Sequence, residues 1–196
     1  MSLKINSKTN LHICKPKNKE DLKEILKIRL KEDKNADLND IDVSEIESMN
    51  YLFDDLDPHN IDISYWDVSK VKYMKRMFSY CTNLKCDISK WNVSNVIDME
   101  EMFIYCHKFN SDLSRWNVSN VIDFHSTFSG CYEFDSDLSK WNVSKVENMN
   151  RMFANCKKLN CDLNNWNPKN LKKYFDTFRN AGSMTIFPKW YKGRLT

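Results

Sequence analysis

Tryptophan recurs at Trp66, Trp91, Trp116, Trp141 and Trp166, every one separated from the last by the same interval with no insertion or deletion. Phenylalanine keeps the same period at Phe53, Phe78, Phe103, Phe128, Phe153 and Phe178, and aspartate keeps it from Asp62 to Asp162. A period of this size is the mark of a repeat architecture, in which one unit cannot bury its own apolar face and must stack on its neighbours. The register extends upstream through Asp37, Val43, Ser44, Met49 and Phe53, with Ile41 at the tryptophan position. Six 25-residue units result: 37–61, 62–86, 87–111, 112–136, 137–161 and 162–186.

The best-preserved line within a unit is D-[IL]-S-x-W-[ND]-V-S-x-V-x-x-M-x-x-M-F-x-x-C, as in residues 87–106. Val96, Met99, Met102 and Phe103 fall at helical spacing, and Ser94 stands where an N-cap would. Ser69, Ser119 and Ser144 repeat that role. The stretch from Asp87 to Val93 is short and holds Ile88, Trp91 and Val93, which suits a strand or extended turn. These patterns predict an α/β repeat solenoid with one short strand and one short helix per unit. Strands pack more closely than helices, so the sheet is expected on the concave side.

Residues 1–36 read as an N-terminal capping segment with a helix over about 17–34, where Leu22, Ile25, Leu26 and Leu30 share a face. Residues 187–196 read as a C-terminal cap built on Phe187, Trp190 and Tyr191. Only three glycines occur in the chain, so Asn, Asp and Ser must build the turns. Charge is uneven. Residues 37–61 hold eight acids and no Lys or Arg, against a net formal charge of +3 for the whole chain. That block reads as a solvated face or as a docking patch for a basic partner.

The W-[ND]-V-S-x-V and M-F-x-x-C segments resemble the repeats of BspA-like leucine-rich-repeat surface proteins, the type also found in mycoplasma-like bacterial lipoproteins. The resemblance covers residues 37–186, and the N-terminal helix and the PKWYK segment resemble flanks of that family. It implies a right-handed, leucine-rich-repeat-like solenoid that serves as a non-catalytic protein-recognition module, often at a cell surface. A core built more from Met, Phe and Trp than from Leu is similar to the family's 25-residue class. No stretch is long and apolar enough to span a bilayer, and the N-terminus has no apolar signal core. The sequence as it stands points to the cytoplasm, or to the cell surface if an export signal is missing from it.

Cys81, Cys106, Cys131 and Cys156 share one unit position and read as a ladder of small buried thiols; Cys86 and Cys161 follow two of them, and Cys14 makes the count odd. His12, His59, His107 and His125 occupy unrelated positions, so neither a metal site nor a general base is expected, and no cofactor. Cys106 beside His107 lacks an orienting third group. The Asn-Val-Ser triplets at Asn92, Asn117 and Asn142 match a glycosylation sequon, but with Asp67 and Asn167 they read as a side-chain ladder between turns. The aspartates read as acceptors for neighbouring backbone N–H groups.

Function is sought where positions vary while their neighbours repeat. The residue before each tryptophan is Tyr65, Lys90, Arg115, Lys140 or Asn165, which stacking would align in a partly basic row. The reading is a monomeric protein-binding module whose row either receives an acidic segment of a partner protein or is simply solvated. An adhesin-type surface fragment, a nucleic-acid binder and a thiol-redox protein are the alternatives.

Overall fold

The computed structural model describes residues 14–182, 184 and 187–193. The first thirteen residues of the N-terminal segment, with His12, and residues 183, 185, 186 and 194–196 of the last unit and tail lie outside the described residues.

Among the described residues there is one helix, α1 (Lys19–Glu32). Its start follows from local chemistry: the Asn18 side chain accepts from the Asp21 N–H at 2.9 Å, and Glu20 and Asp21 sit in the first turn, where the helix dipole favours acids. Leu22, Leu26 and Leu30 are buried. Arg29 binds Asp40 at 3.0 Å and Lys23 Nζ donates to the Tyr51 carbonyl at 3.1 Å, fixing α1 across the first unit.

The expected strand and helix in every unit are absent among the described residues, which overturns the α/β leucine-rich-repeat-like solenoid and its concave sheet. Following the backbone hydrogen bonds shows what replaces them. In the third unit Met102, Ile104 and Cys106 donate to the carbonyls three residues back, at Met99, Glu101 and Phe103, closing successive tight turns. The residues between them donate forward to the next unit: Met99 to Asp123, Glu101 to His125, Phe103 to Thr127 and Tyr105 to Ser129, at 2.7–3.1 Å. Glu101 and Tyr105 are left-handed, with φ 54° and 58°, a geometry no right-handed helix allows.

This segment therefore mimics a helix in sequence, since a chain of three-residue turns also buries positions i, i+3, i+4 and i+7. The Asp87–Val93 half is likewise a pair of corners, with Trp91 N–H closing on the Ile88 carbonyl at 3.1 Å. Strand-like pairing is reduced to isolated parallel bridges, one column of which runs Ser48, Tyr73, Asp98, Asp123, Asn148 and Lys173. Ser94 caps no helix. Its N–H donates to the Asn92 side chain at 3.2 Å, and Ser69, Ser119 and Ser144 bind Asp67, Asn117 and Asn142 in the same way, so these Asn and Asp residues bond within their own turn rather than between turns.

Side chains lock the units together in register. In each of the five repeated tryptophans the indole N–H reaches back 28 residues to a carbonyl of the preceding unit, from Trp66 to Leu38 through to Trp166 to Leu138, at 2.9–3.1 Å. Those carbonyls already close a local turn, so the indole uses their second lone pair. Cys106, Cys131 and Cys156 make the same backward reach to Phe78, Phe103 and Phe128. The phenylalanine column stacks at 4.8–5.8 Å between centroids from Phe53 to Phe178. At the far end Trp190 stacks on Trp166 and Tyr191 meets Phe178 edge-on.

Two outcomes are expected from this packing. Trp116→Phe keeps most of the ring while removing the donor to Ile88, and should cost about 1–2 kcal/mol in chemical denaturation, whereas Trp116→Ala should cost about 3–5 kcal/mol. Equal losses would place the contribution in the hydrogen bond instead of the packing. All seven cysteines are free. Burial raises the thiol pKa of Cys81, Cys106, Cys131 and Cys156, so a thiol reagent at neutral pH should leave these four unmodified in the native protein and label them on unfolding. Rapid native labelling of any of them would contradict the packing.

Candidate functional site

Tyr65, Lys90, Arg115, Lys140 and Asn165 each occupy the third position of the turn that a tryptophan N–H closes, which points the side chain away from the core. All five are exposed, Tyr65 at 67%. They lie on corners, not on the inner face of a sheet.

Beside the row runs a second one. Asp87, Asp112 and Asp137 each accept from the serine N–H two residues on, at 2.9–3.0 Å. Hydrogen bonds from Ser89, Ser114 and Ser139 hold these carboxyls below the usual carboxylate range, with Lys90, Arg115 and Lys140 adding to the effect. The site is thus two parallel rows of opposite sign. Between Lys90 and Arg115 lies a shallow depression of about 490 Å³ that Ser89, Asn92, Asp112 and Asn117 also line, with the buried Trp91 and Val93 at its base.

What separates Lys90, Arg115 and Lys140 from many cations of this chain is their lack of a partner. Lys70, Lys72, Lys75, Arg76, Lys158 and Lys172 each pair with an acid at the same position of an adjacent unit, at Glu45, Glu47, Glu100, Glu101, Glu133 and Glu147. Those side chains join units. Lys90, Arg115 and Lys140 make no ion pair and no side-chain hydrogen bond among the described residues, and their charge is directed to solvent.

Much of the acidic block at 37–61 is already in use. Asp40 binds Arg29, Asp42 binds Lys15, and Glu45 and Glu47 bind Lys70 and Lys72. Asp42, held mainly by side-chain and backbone bonds from Ser44, has its pKa lowered to about 2. Asp54 and Asp55 remain without an ion pair among the described residues, and Asp57 meets only His59 at 3.3 Å.

The histidines stay apart. His107 stacks on Tyr132 at 4.4 Å while the Cys106 sulfur turns inward to the Phe78 carbonyl, so these sequence neighbours face opposite ways. His125 lies 3.8 Å from Glu101. Among the described residues no cluster of His, Cys, Asp and Glu has the geometry to hold a metal ion, and no helix is long and apolar enough to cross a membrane. Sequence reasoning missed an exposed aromatic row in which Tyr80 stacks on Tyr105 at 5.1 Å. Its one signal is Gly130, the next residue at that position: a Cβ there would lie 2.7 Å from Tyr105 Cδ1, and its φ is 76°. Also unforeseen is Asp98, whose pKa is raised by burial, with the neighbouring Asp123 charge adding to it.

Comparison with curated proteins gives no match, and neither does comparison with solved structures. A protein family described as "Mycoplasma protein of unknown function, DUF285" matches residues 20–131 and again 81–190, together spanning nearly all of α1 and all six repeat units, and the chain belongs to that family.

Proposed function

We propose that this protein is a non-catalytic protein-binding module whose partner lays an acidic segment along Tyr65, Lys90, Arg115, Lys140 and Asn165. The observation that carries the reading is the contrast between Lys90, Arg115 and Lys140, which join nothing, and the lysines and arginine that tie unit to unit. Cations spaced at the unit interval suit an extended chain bearing carboxylates at intervals, and Arg115 can bind one of them in two places. The flanking aspartates repel acids that approach out of register, so the double row favours one alignment. The resemblance of the W-[ND]-V-S-x-V segments to BspA-like surface proteins supports a place for this module at a bacterial cell surface, in the manner of an adhesin. Reading the coding sequence upstream for an export signal tests that part separately.

For the binding row, Lys90→Glu, Arg115→Glu and Lys140→Glu combined should abolish capture of one specific protein from host or environmental extracts. Thermal stability should be unchanged, because exposed substitutions away from structural contacts shift it by less than about 0.5 kcal/mol each. Capture by the wild type should weaken as salt rises. Full retention of the same partner by the triple variant would refute the assignment of the row.

A further inference from the structure

The exposed rings that begin at Tyr80 form a surface of their own in the middle of the stack. Tyr80 stacks on Tyr105 at 5.1 Å, Tyr105 meets His107 edge-on at 6.2 Å, and His107 stacks on Tyr132 at 4.4 Å. Four rings thus run without a break from the second unit to the fourth. They lie outside the core: Tyr80 is 55% exposed, and Tyr105 and Tyr132 are 37% exposed each. A contiguous exposed patch of this kind marks an interaction site, and tyrosine is enriched where proteins meet.

Gly130 shows that the run is accommodated by the units around it. The column Asp55, Tyr80, Tyr105, Gly130, Asn155 and Asn180 is left-handed throughout, at φ 54–76°, so five of its six members hold this backbone with a side chain. What requires glycine is the ring of the preceding unit, since a Cβ at position 130 would stand 2.7 Å from Tyr105 Cδ1.

The charge at the start of the run is negative. Asp55 stands one unit before Tyr80 at the same position, and Asp57 stands at the position that His107 and Tyr132 later fill. Asp55 is exposed and makes no ion pair among the described residues, and Asp57 meets only His59 at 3.3 Å. The cations nearby in the units are engaged: Lys34 Nζ donates to the Leu56 carbonyl, Lys108 Nζ to the Asn83 side chain, and Lys158 pairs with Glu133. Tyr105 covers one face of the Tyr80 ring. The other face is turned toward the first unit, where Asp55 stands.

We propose that this run of rings is a docking surface for a basic segment of another protein, with an arginine side chain seated between the free face of Tyr80 and the Asp55 carboxylate. A guanidinium is flat, so it lies on the ring while its forked N–H groups reach the carboxylate, a combination that a lysine ammonium cannot make. A second cation of the segment meets Asp57, and the rest of the segment crosses Tyr105 and Tyr132. Nucleic acid bases also stack on tyrosine, but Asp55 and Asp57 repel the phosphates that would carry them. The partner is opposite in charge to the one that fits Lys90, Arg115 and Lys140, and the two surfaces stand or fall separately.

A fluorescein-labelled peptide of alternating arginine and serine serves as the probe. It should bind the intact protein, less tightly as salt rises, and a peptide with citrulline in place of arginine, similar in shape but uncharged, should not. Its arginine side-chain protons should shift upfield on binding through the tyrosine ring current, a readout that ion pairing alone would not move. Asp55→Asn with Tyr80→Asn should weaken binding about tenfold or more without lowering Tm, because asparagine already holds this position at Asn155 and Asn180. Lys90→Glu, Arg115→Glu and Lys140→Glu combined should leave the ring-current shift in place. The proposal is overturned if the arginine peptide fails to bind, if the citrulline peptide or the double variant binds as tightly, or if the arginine protons do not shift. It is also overturned if the intact protein sediments as a dimer that Tyr80→Asn dissociates, which would name a second copy as the occupant.

Discussion

The structure depends on where every second backbone N–H in the M-x-x-M-F segment goes. A helix would send it back four residues; here it goes forward to the next unit, as from Glu101 to His125 and from Phe103 to Thr127. The alternation forces left-handed residues at two positions per unit, held by Tyr51, Arg76, Glu101, Ser126, Arg151 and Asp176 at one and by Asp55, Tyr80, Tyr105, Gly130, Asn155 and Asn180 at the other. For an L-residue this conformation costs roughly 1–2 kcal/mol. It persists because the forward ladder, the tryptophan and cysteine bonds to the preceding unit and the stacked rings all require the same register. Every unit leans on its neighbours, so no single unit is a stable object.

The repeat period, the buried Trp, Phe and Cys columns and α1 were legible in the sequence because each depends on which side chains are apolar and how they are spaced. Leu22, Leu26 and Leu30 could only be the inner face of a helix that Asn18 begins. The conformation of the unit was not legible. Val96, Met99, Met102 and Phe103 satisfy a helix and a run of tight turns equally well, and the choice rests on hydrogen-bond partners in the next unit that no local pattern reveals. The usual warning of left-handed backbone, a column of Gly or Asn, is missing at the Arg76, Glu101 and Arg151 position, and Gly130 stands alone as a glycine in the other column. Ser94 misled for the same reason: a serine before an apolar run looks like a cap, but Asn92 takes its N–H. The row at Tyr65, Lys90, Arg115, Lys140 and Asn165 was legible as the place where the repeat varies. That its central cations are unpaired was not, because pairing depends on what stands at the same position of the adjacent units.

A fixed interval changes what charge does in such a molecule. Any acid and base placed one unit apart meet, so Glu45 with Lys70, Glu47 with Lys72 and Glu147 with Lys172 form pairs that a less regular fold would leave to chance. Exposed pairs of this kind are individually worth about 0–1 kcal/mol, yet they take charge out of circulation as far as partners are concerned. Net charge therefore says little about recognition here. The eight acids of residues 37–61 look like the strongest feature of the sequence, and half of them are held by Lys15, Arg29, Lys70 and Lys72.

The same reasoning separates scaffold from recognition surface. A position that repeats because stacking demands it, such as Trp91 or Phe103, cannot change without disturbing the neighbours above and below. A position whose side chain meets neither neighbour can change freely, and whatever is found there reflects a use other than stacking. Lys90, Arg115 and Lys140 are in that state along the length of the stack, and Phe175, 64% exposed where the earlier units hold polar residues, is in that state at its end. Both departures face solvent, and neither contributes a contact that holds the units together. In a fold whose interior is this strictly repeated, partner choice is carried by such departures, since the repeated part presents the same surface in every unit.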